Sequence, residues 1–357
     1  MTFHNLFKIT PEPFGLDLSD RSIKIAKLSR KKSKLFLENF GESDVGKGLM
    51  ENGVVLSDSK LADVIRASMS NLKMGALKTA YARCSLPEQK TYLRVIQLPK
   101  MSKKETEEAI QWEVEANIPI ALKDVYFDWE VISPLRKSID HLDILISAAP
   151  RDLVDSYIEL FRKAGVKPVS FEPESLALAR CLIKGGVSEK PTLIVDLGQT
   201  RTNFIIYAGR GLRFTSSIEI SEDIMTMNIA RSMGISLEDA EKLKKEVGIN
   251  RDENEKVFEA IIPVMTDLKE QIKSYADFYA EHAAHVHSGG EGIEKVFLSG
   301  GGARLKGIEK YLTTALRMPT EIASPWINIL EPPLRETPEL SYLESIRYTT
   351  ALGLALT

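Results

Sequence analysis

Two stretches of this 357-residue chain, one early and one past its middle, follow a single plan. Phe14-Gly15-Leu16-Asp17-Leu18-Ser19 leads into Ser22–Ser29, where Ile23 and Ile25 alternate with Lys24, then through the turn-like Arg30–Lys34 into LFLENF. Past the middle, TLIVDLG (192–198), TNFIIYAG (202–209) and GLRFTSSIEI (211–220) repeat the sequence of strand, tight turn, strand, turn, strand. Alternating apolar residues bounded by turn formers predict strands. Two three-stranded units, each opening on an apolar strand that ends in Asp-Leu-Ser or Asp-Leu-Gly, imply an internal duplication. A chain built this way folds as two similar halves.

The remaining segments predict how the halves are completed. A helix is expected from Asp58 to Lys73, with Leu61, Ile65, Met69 and Leu72 on one face, followed by a strand at TAYARCSL. Between Pro87 and Pro150 the rhythm changes to strand, helix, strand, strand, the helix opened by Ser102 and Glu105 at capping-box spacing, which predicts an inserted small α+β unit. Helices are expected at Asp152–Ala164, closed by Gly165, and at Pro173–Ile183, closed by Gly185-Gly186. The stretch GGVSEKP then reads as a hinge. Three helices follow, Glu222–Met233, Leu237–Glu246 and Glu253–Ala283, the last expected to kink at Pro263. KVFLSGGG restores a strand-to-helix pattern, and a helix from Ser341 to Leu356 closes the fold.

Composition narrows the function classes. With 43% hydrophobic and 27% charged residues the chain is globular rather than disordered or fibrous. A formal charge of −3 offers no general attraction for nucleic acid or an anionic membrane. Cys84 and Cys181 are too few for a disulfide framework or a thiolate cage, so a reducing compartment is expected. The first residues lack a signal-peptide apolar core, and no stretch approaches the ~20 apolar residues that span a bilayer. The chain therefore reads as cytoplasmic, reaching a membrane only through partners.

Three loops carry the chemistry. Asp17-Leu18-Ser19-Asp20-Arg21-Ser22-Ile23-Lys24 and Asp196-Leu197-Gly198-Gln199-Thr200-Arg201-Thr202 each place a carboxylate at the end of a buried strand, before a turn whose amides can face a phosphate. Carboxylates so placed, Asp17 and Asp196, are the candidate Mg²⁺ site, because Mg²⁺ takes few carboxylates and retains waters. The plain alternative for either loop is an ordinary Asp-containing hairpin turn. Gly300-Gly301-Gly302, between an apolar strand and a helix, permits close backbone approach to a ligand.

The ordered set of two Asp turns and a Gly loop resembles the phosphate-1, phosphate-2 and adenosine motifs of the actin, Hsp70 and sugar-kinase superfamily. The layout between them is similar to the PilM family of type IV pilus assembly proteins, relatives of the cell-division protein FtsA, over nearly the whole chain. The fold implied is α/β and actin-like, a duplicated ribonuclease H-like plan with two halves around a nucleotide cleft and a 1C subdomain of the FtsA and PilM type. The subdomains expected are 1A at 1–86 and 151–190, 1C at 87–150, 2A at 191–221 and 293–340, and helical 2B at 222–292, with the helix at 341–357 packing on 1A. The resemblance implies ATP and Mg²⁺ as cofactors. It assigns Asp17, Ser19, Ser22 and Lys24 to the first loop, Asp196, Gly198, Thr200 and Thr202 to the second, and Gly300, Gly301 and Gly302 to the third. Glu241 and Lys244 match an adenosine-contacting Glu-x-x-Lys, and Glu172, before Pro173, the acidic residue near the attacking water. Ser19 stands where the family usually has Gly, and Asp20 where it has a hydroxyl residue. Two like charges about 4 Å apart cost roughly 4 kcal/mol at an effective dielectric near 20, so Asp20 must point away, share a cation or weaken triphosphate binding. At most slow ATP hydrolysis is expected.

The function implied is a cytoplasmic ATP-binding scaffold of the type IV pilus or a related type II secretion platform, docking the N-terminal tail of a PilN-like membrane protein between 1A and 1C. Pilus motor ATPases and further copies of the chain are the other partners it implies. A sugar or small-acid kinase and an FtsA-like division protein are the alternatives. Other features have plainer readings. His282, His285 and His287 share a helix face but read as a solvated helix end. The basic run Arg21 to Lys34 reads as an exposed hairpin face. Trp112, Tyr126, Phe127 and Trp129 read as the core of the insert, with a peptide groove as the alternative.

Overall fold

The computed structural model describes residues 12–31, 34–135, 140–282, 292–330 and 337–356, and its topology carries the duplication as clearly as the sequence does. The first half opens with strands β1 (Phe14–Leu18), β2 (Ser22–Lys31) and β3 (Lys34–Asp44), antiparallel in that order. A two-residue hairpin, β4 (Met50–Glu51) and β5 (Val54–Val55), precedes helix α1 (Asp58–Ser70) and strand β6 (Tyr81–Leu86). The insert follows as β7 (Tyr92–Pro99), α2 (Lys103–Asn117), β8 (Val125–Ile132) and β9 (His141–Pro150). Next come α3 (Arg151–Ala164), β10 (Lys167–Pro173) and α4 (Glu174–Leu182). The second half runs β11 (Ser188–Leu197), β12 (Thr202–Gly209), β13 (Gly211–Ile218), α5 (Glu222–Met233), α6 (Leu237–Val247), α7 (Glu255–His282), β14 (Lys295–Ser299), α8 (Ile308–Leu316) and β15 (Thr320–Ile322). Two short helices, α9 (Tyr342–Ser345) and α10 (Thr349–Ala355), end the chain.

The two five-stranded sheets have one strand plan, β3-β2-β1-β6-β10 and β13-β12-β11-β14-β15. In each, the first three strands are antiparallel and the last three parallel. Buried on both faces, β1 and the core of β11 read as nearly continuous apolar runs, as inner strands with parallel neighbours should. On the outer face of the first sheet lie α1 and α3, whose Leu153, Tyr157, Leu160 and Phe161 recur at helical spacing over Leu16, Ile23 and Cys84. On the outer face of the second sheet lie α5, α7 and α8. Between the sheets sit α4 and α10, with Leu178, Leu182, Ala351 and Leu352 against Ala26 and Ile205.

Small residues set how closely α10 approaches its neighbours. A Cβ on Gly15 would stand 2.0 Å from the Ala351 carbonyl, and one on Gly353 2.0 Å from that of Ala177. No side chain fits at either place, so a larger residue would lift α10 off β1 and α4.

The insert forms a three-stranded sheet, β7-β9-β8, covered by α2 through Ile110 and Val114. Its helix begins with the expected capping box, Ser102 N donating to Glu105 Oε2 at 2.8 Å and Glu105 N to Ser102 Oγ at 3.4 Å. Although it is connected in sequence to the first half, the insert also docks on the second. Arg213 Nη1 lies 2.7 Å from Asp143 Oδ2, both nearly buried, and Ile132 occupies the space that a Cβ on Gly211 would need.

Four local expectations give way. The expected hinge is mostly strand: Gly185 and Gly186 turn the chain at φ of 60° and 66°, and from Ser188 the backbone pairs within the second sheet. Strand β10 appears between two helices where none was expected, because Phe171 and its neighbours find a parallel partner in β6. The C-terminal helix is broken by a 3₁₀ turn at Ile346–Tyr348. Helix α7 runs unbroken past Pro263, the expected site of a kink, which lies on an exposed face where the missing N–H costs least. His285 and His287 lie outside the described residues, as does Lys32 of the basic run. Trp112 is 73% exposed rather than part of the insert's core. Among the described residues no helix is long and apolar enough to cross a membrane.

Candidate functional site

The two Asp turns and the Gly loop converge on one cleft between the halves. Asp17 and Asp196 occupy equivalent places, at the ends of β1 and β11, and each has a serine on the neighbouring parallel strand. Ser85 Oγ donates to Asp17 Oδ1 at 3.0 Å, and Ser299, paired in register with Asp196, favours the charged form of its carboxyl while donating its hydroxyl to Thr349 Oγ1 at 3.1 Å. Across the antiparallel partner, Asp17 faces Lys24 and Asp196 faces Asn203.

The first loop has no glycine and closes on its own hydroxyls. Ser19 N and Oγ both donate to the Ser22 carbonyl, at 2.9 and 3.1 Å, and Ser22 N donates to Ser19 Oγ at 3.2 Å. Lys24 Nζ donates to Ser22 Oγ at 2.6 Å. Asp20 turns away from the loop: its carboxylate accepts from the amides of Asn52 and Gly53, each at 2.9 Å. Those two residues, at φ of 50° and 76°, form the tip of the β4–β5 hairpin. The second loop closes on backbone alone, Gly198 N donating to the Arg201 carbonyl at 2.9 Å. A Cβ on Gly198 would stand 2.8 Å from that carbonyl. At the third loop, Gly300 has φ of 82° and would place a Cβ 2.4 Å from the Leu197 carbonyl, a position open only to glycine.

Carboxylates dominate the cleft. Burial raises the Asp17 carboxyl above the ordinary range against the pull of Lys24 and Ser85. Burial also pushes Asp196 to about 6, Asp17 adding to the effect while Ser299 opposes it. Glu174, at the start of α4, is raised well above the usual carboxylate range, first by burial and then by Asp17, Glu88 and Asp196. It accepts from Asn203 Nδ2 at 2.8 Å, a hydrogen bond that joins the halves. Asn203 Oδ1 is buried with no hydrogen-bond partner among the described residues. A second crossing is made by Arg21 Nη2 and Asp223 Oδ2, 3.1 Å apart.

The sequence-predicted residues divide. Asp17, Ser19, Ser22, Lys24, Asp196, Gly198, Thr200, Gly300 and Gly301 line the cleft. Gly302 does not; it packs on Leu197. Thr202 is fully buried and gives its hydroxyl to the Ile220 carbonyl at 2.6 Å, because strand alternation makes it the counterpart of Ile23, facing the core. Glu172 is held away from the cleft by a bidentate pair with Arg180 at 2.7 and 2.6 Å; the acidic residue on the cleft wall is Glu174, two positions on. Glu241 and Lys244 stand behind the wall, where Lys244 Nζ, buried, lies 2.7 Å from Glu241 Oε2, 2.9 Å from Thr226 Oγ1 and 3.6 Å from Glu222 Oε2. Glu222 itself lines the cleft against Gly301. Asn203 was visible in principle: it follows Asp196 by the same seven positions that separate Lys24 from Asp17. Glu222 and Arg347 carried no motif signal.

Comparison with known proteins is consistent with this geometry. The structure is similar over 97% of this chain to the "PilM-PilN type IV pilus biogenesis complex", of whose matched chain 98% is covered, at 26% identity and a TM-score of 0.79. It shares its fold with the ethanolamine utilization protein EutJ from Carboxydothermus hydrogenoformans, at 14% identity, 97% and 90% coverage and a TM-score of 0.55. It also shares it with MreB5 of Spiroplasma citri bound to ADP, at 15% identity, 89% and 94% coverage and a TM-score of 0.51. The fold is therefore actin-like. The family model described as type IV pilus assembly protein PilM matches residues 15–357, and with two duplicated Asp turns facing one cleft across nearly that whole span, the chain belongs to the PilM family.

Proposed function

We propose that this chain is a nucleotide-binding, actin-like scaffold of a type IV pilus assembly platform that docks the N-terminal cytoplasmic tail of a PilN-like membrane protein. The observation that carries the nucleotide reading is the equivalent placement of Asp17 and Asp196 on one cleft with the glycine-only position Gly300. ATP with Mg²⁺ fits the residues present. Three carboxylates with raised pKa values, Asp17 buried and Glu174 and Asp196 partly so, form a negative cluster that a divalent cation neutralises. The unpartnered Asn203 Oδ1 is an acceptor for a cation-bound water. Asp17 and Asp196 would hold the hydration shell of Mg²⁺, Lys24 and the two loops the phosphates, and the Gly300–Gly302 loop the nucleoside side. When bound, Mg²⁺ supplies charge neutralisation along the phosphates.

Glu174 takes over the role assigned to Glu172, orienting a water while Asn203 fixes its carboxyl. Burial and its acidic neighbours favour the protonated carboxyl over the charged one, which limits its use as a proton acceptor and suits a scaffold with slow turnover. The peptide reading is supported by the whole-length likeness to a PilM in complex with PilN. On that reading the two sheets are 1A and 2A, the insert is 1C, α5 to α7 form 2B, and the chain stays cytoplasmic, held at the inner membrane through its partner. Family membership favours the scaffold over a metabolite kinase or a division protein. Calorimetry with Mg-ATP, and separately with a synthetic peptide of the neighbouring PilN-like protein's N-terminal tail, tests both parts. Heat of binding is expected for each ligand, and its absence for either one rejects that part.

A further inference from the structure

Loop 1 of this chain carries an arginine that the phosphate-binding reading leaves without a task. Arg21 sits at the tip of the β1–β2 turn, on the cleft wall, with its side chain 35% exposed. Among the described residues its guanidinium has one carboxylate partner, Asp223, in the first turn of α5. That turn is tied to the second loop, since Glu222 N donates to the Gly198 carbonyl at 3.1 Å and Asp223 N to the Gln199 carbonyl at 3.0 Å. The Arg21–Asp223 pair therefore bridges the two turns across the cleft mouth. The other cationic side chains of the cleft have partners that do not bridge those turns. Lys24 lies near Glu42, Arg201 near Glu219 and Arg347 between Glu42 and Glu344.

We infer that Arg21 is the residue that distinguishes a nucleoside triphosphate from a diphosphate, by leaving Asp223 for the terminal phosphate. This rests on the nucleotide reading. A phosphate chain threaded between the two turns meets this ion pair, and each added phosphate brings charge and acceptor oxygens that compete with one carboxylate for the guanidinium. A planar guanidinium grips phosphate through two parallel N–H donors, whereas here one nitrogen contacts one carboxylate oxygen. The half-exposed pair is weak by itself, so exchanging it costs little. Asp223, released, is a negative charge beside the phosphates and sets the threshold for the exchange.

The test is calorimetric titration of the full chain with Mg²⁺ and either ADP or a non-hydrolysable ATP analogue, for wild type, Arg21→Gln and Asp223→Asn. Arg21→Gln is expected to weaken the triphosphate analogue about tenfold, equivalent to about 1.4 kcal/mol, and to leave ADP within about twofold. Asp223→Asn, which keeps the shape of the turn, is expected to tighten the triphosphate several-fold and leave ADP unchanged. Equal losses for both nucleotides would mark Arg21 as a structural tie and overturn the inference, as would no loss for either. Wild type that binds neither nucleotide would overturn the nucleotide reading as well.

Discussion

The two Asp turns reach one geometry by different chemistry. Loop 2 has the glycine that its close carbonyl approach demands, Gly198 lying where a Cβ would meet the Arg201 oxygen at 2.8 Å. Loop 1 has Ser19 at the matching place and spends its hydroxyls on closing the turn, with Ser19 and Ser22 bonded to each other and Lys24 Nζ to Ser22 Oγ. Loop 1 is also fastened outward, Asp20 to the β4–β5 hairpin and Arg21 to the opposite half. The comparison teaches that a turn without glycine can hold its shape if side chains supply the closure. The consequence is that loop 1 is sensitive to polar substitutions and loop 2 to steric ones.

The largest expected effect tests what the loops share. Asp17→Ala and Asp196→Ala should each weaken Mg-ATP about 100-fold, the loss of one carboxylate at a cation site, without unfolding the chain. Calorimetry showing wild-type affinity in either variant would remove that residue from the site. Next, Asp20→Ala should cost about 2 kcal/mol of stability, because two amides of the Asn52-Gly53 turn lose a charged acceptor. Its Mg-ATP affinity should stay within about twofold; a marked gain in affinity would mean that Asp20 faces the phosphates after all. Urea denaturation and calorimetry separate the two outcomes.

The third expectation concerns pH. Asp196 titrates near 6 in the fold against an ordinary 3.8, so the folded state holds its proton over a range where the unfolded chain has lost it. The sign follows: nucleotide-free stability is highest on this account below about pH 4 and falls as pH rises through about 6. Asp196→Asn should stabilise the ligand-free protein at pH 8 by about 1 kcal/mol after solvent screening, seen as a higher melting temperature, and leave it unchanged near pH 4. No gain at pH 8 would contradict a destabilising charge. The smallest effect separates the loops most finely. Ser19→Gly should cost under about 1 kcal/mol, whereas Gly198→Ala, which forces a backbone shift, should cost more. Thermal melts that reverse this order would break the comparison.

Much of this could be read from the residues in order. The duplication, the three loops, the insert with its Ser102–Glu105 cap and most helix boundaries depend on local periodicity and turn chemistry, which neighbours in sequence report directly. What failed depended on partners distant in sequence. Glu172 looked like the cleft acid because it precedes Pro173, yet Arg180 on the next helical turns captures it and Glu174 takes the cleft wall. The resemblance assigns Thr202 to the second loop, but strand parity sends it to the core and Asn203 to the cleft. The 3₁₀ turn at Ile346–Tyr348 interrupts a segment whose apolar pattern would suit one helix, and its Arg347 reaches Glu42 on β3.

The sequence by itself determined that two Asp turns and a glycine loop exist, and that their halves share a plan, because each is a matter of local pattern. Only the tertiary structure decided which side chains meet across the cleft. Asp20 on Asn52 and Gly53, Arg21 on Asp223 and Glu174 on Asn203 are pairings between segments far apart in the chain. Such pairings form once the sheets and the α4–α10 layer have brought their backbones together, and burial there raises the carboxyls above their ordinary range.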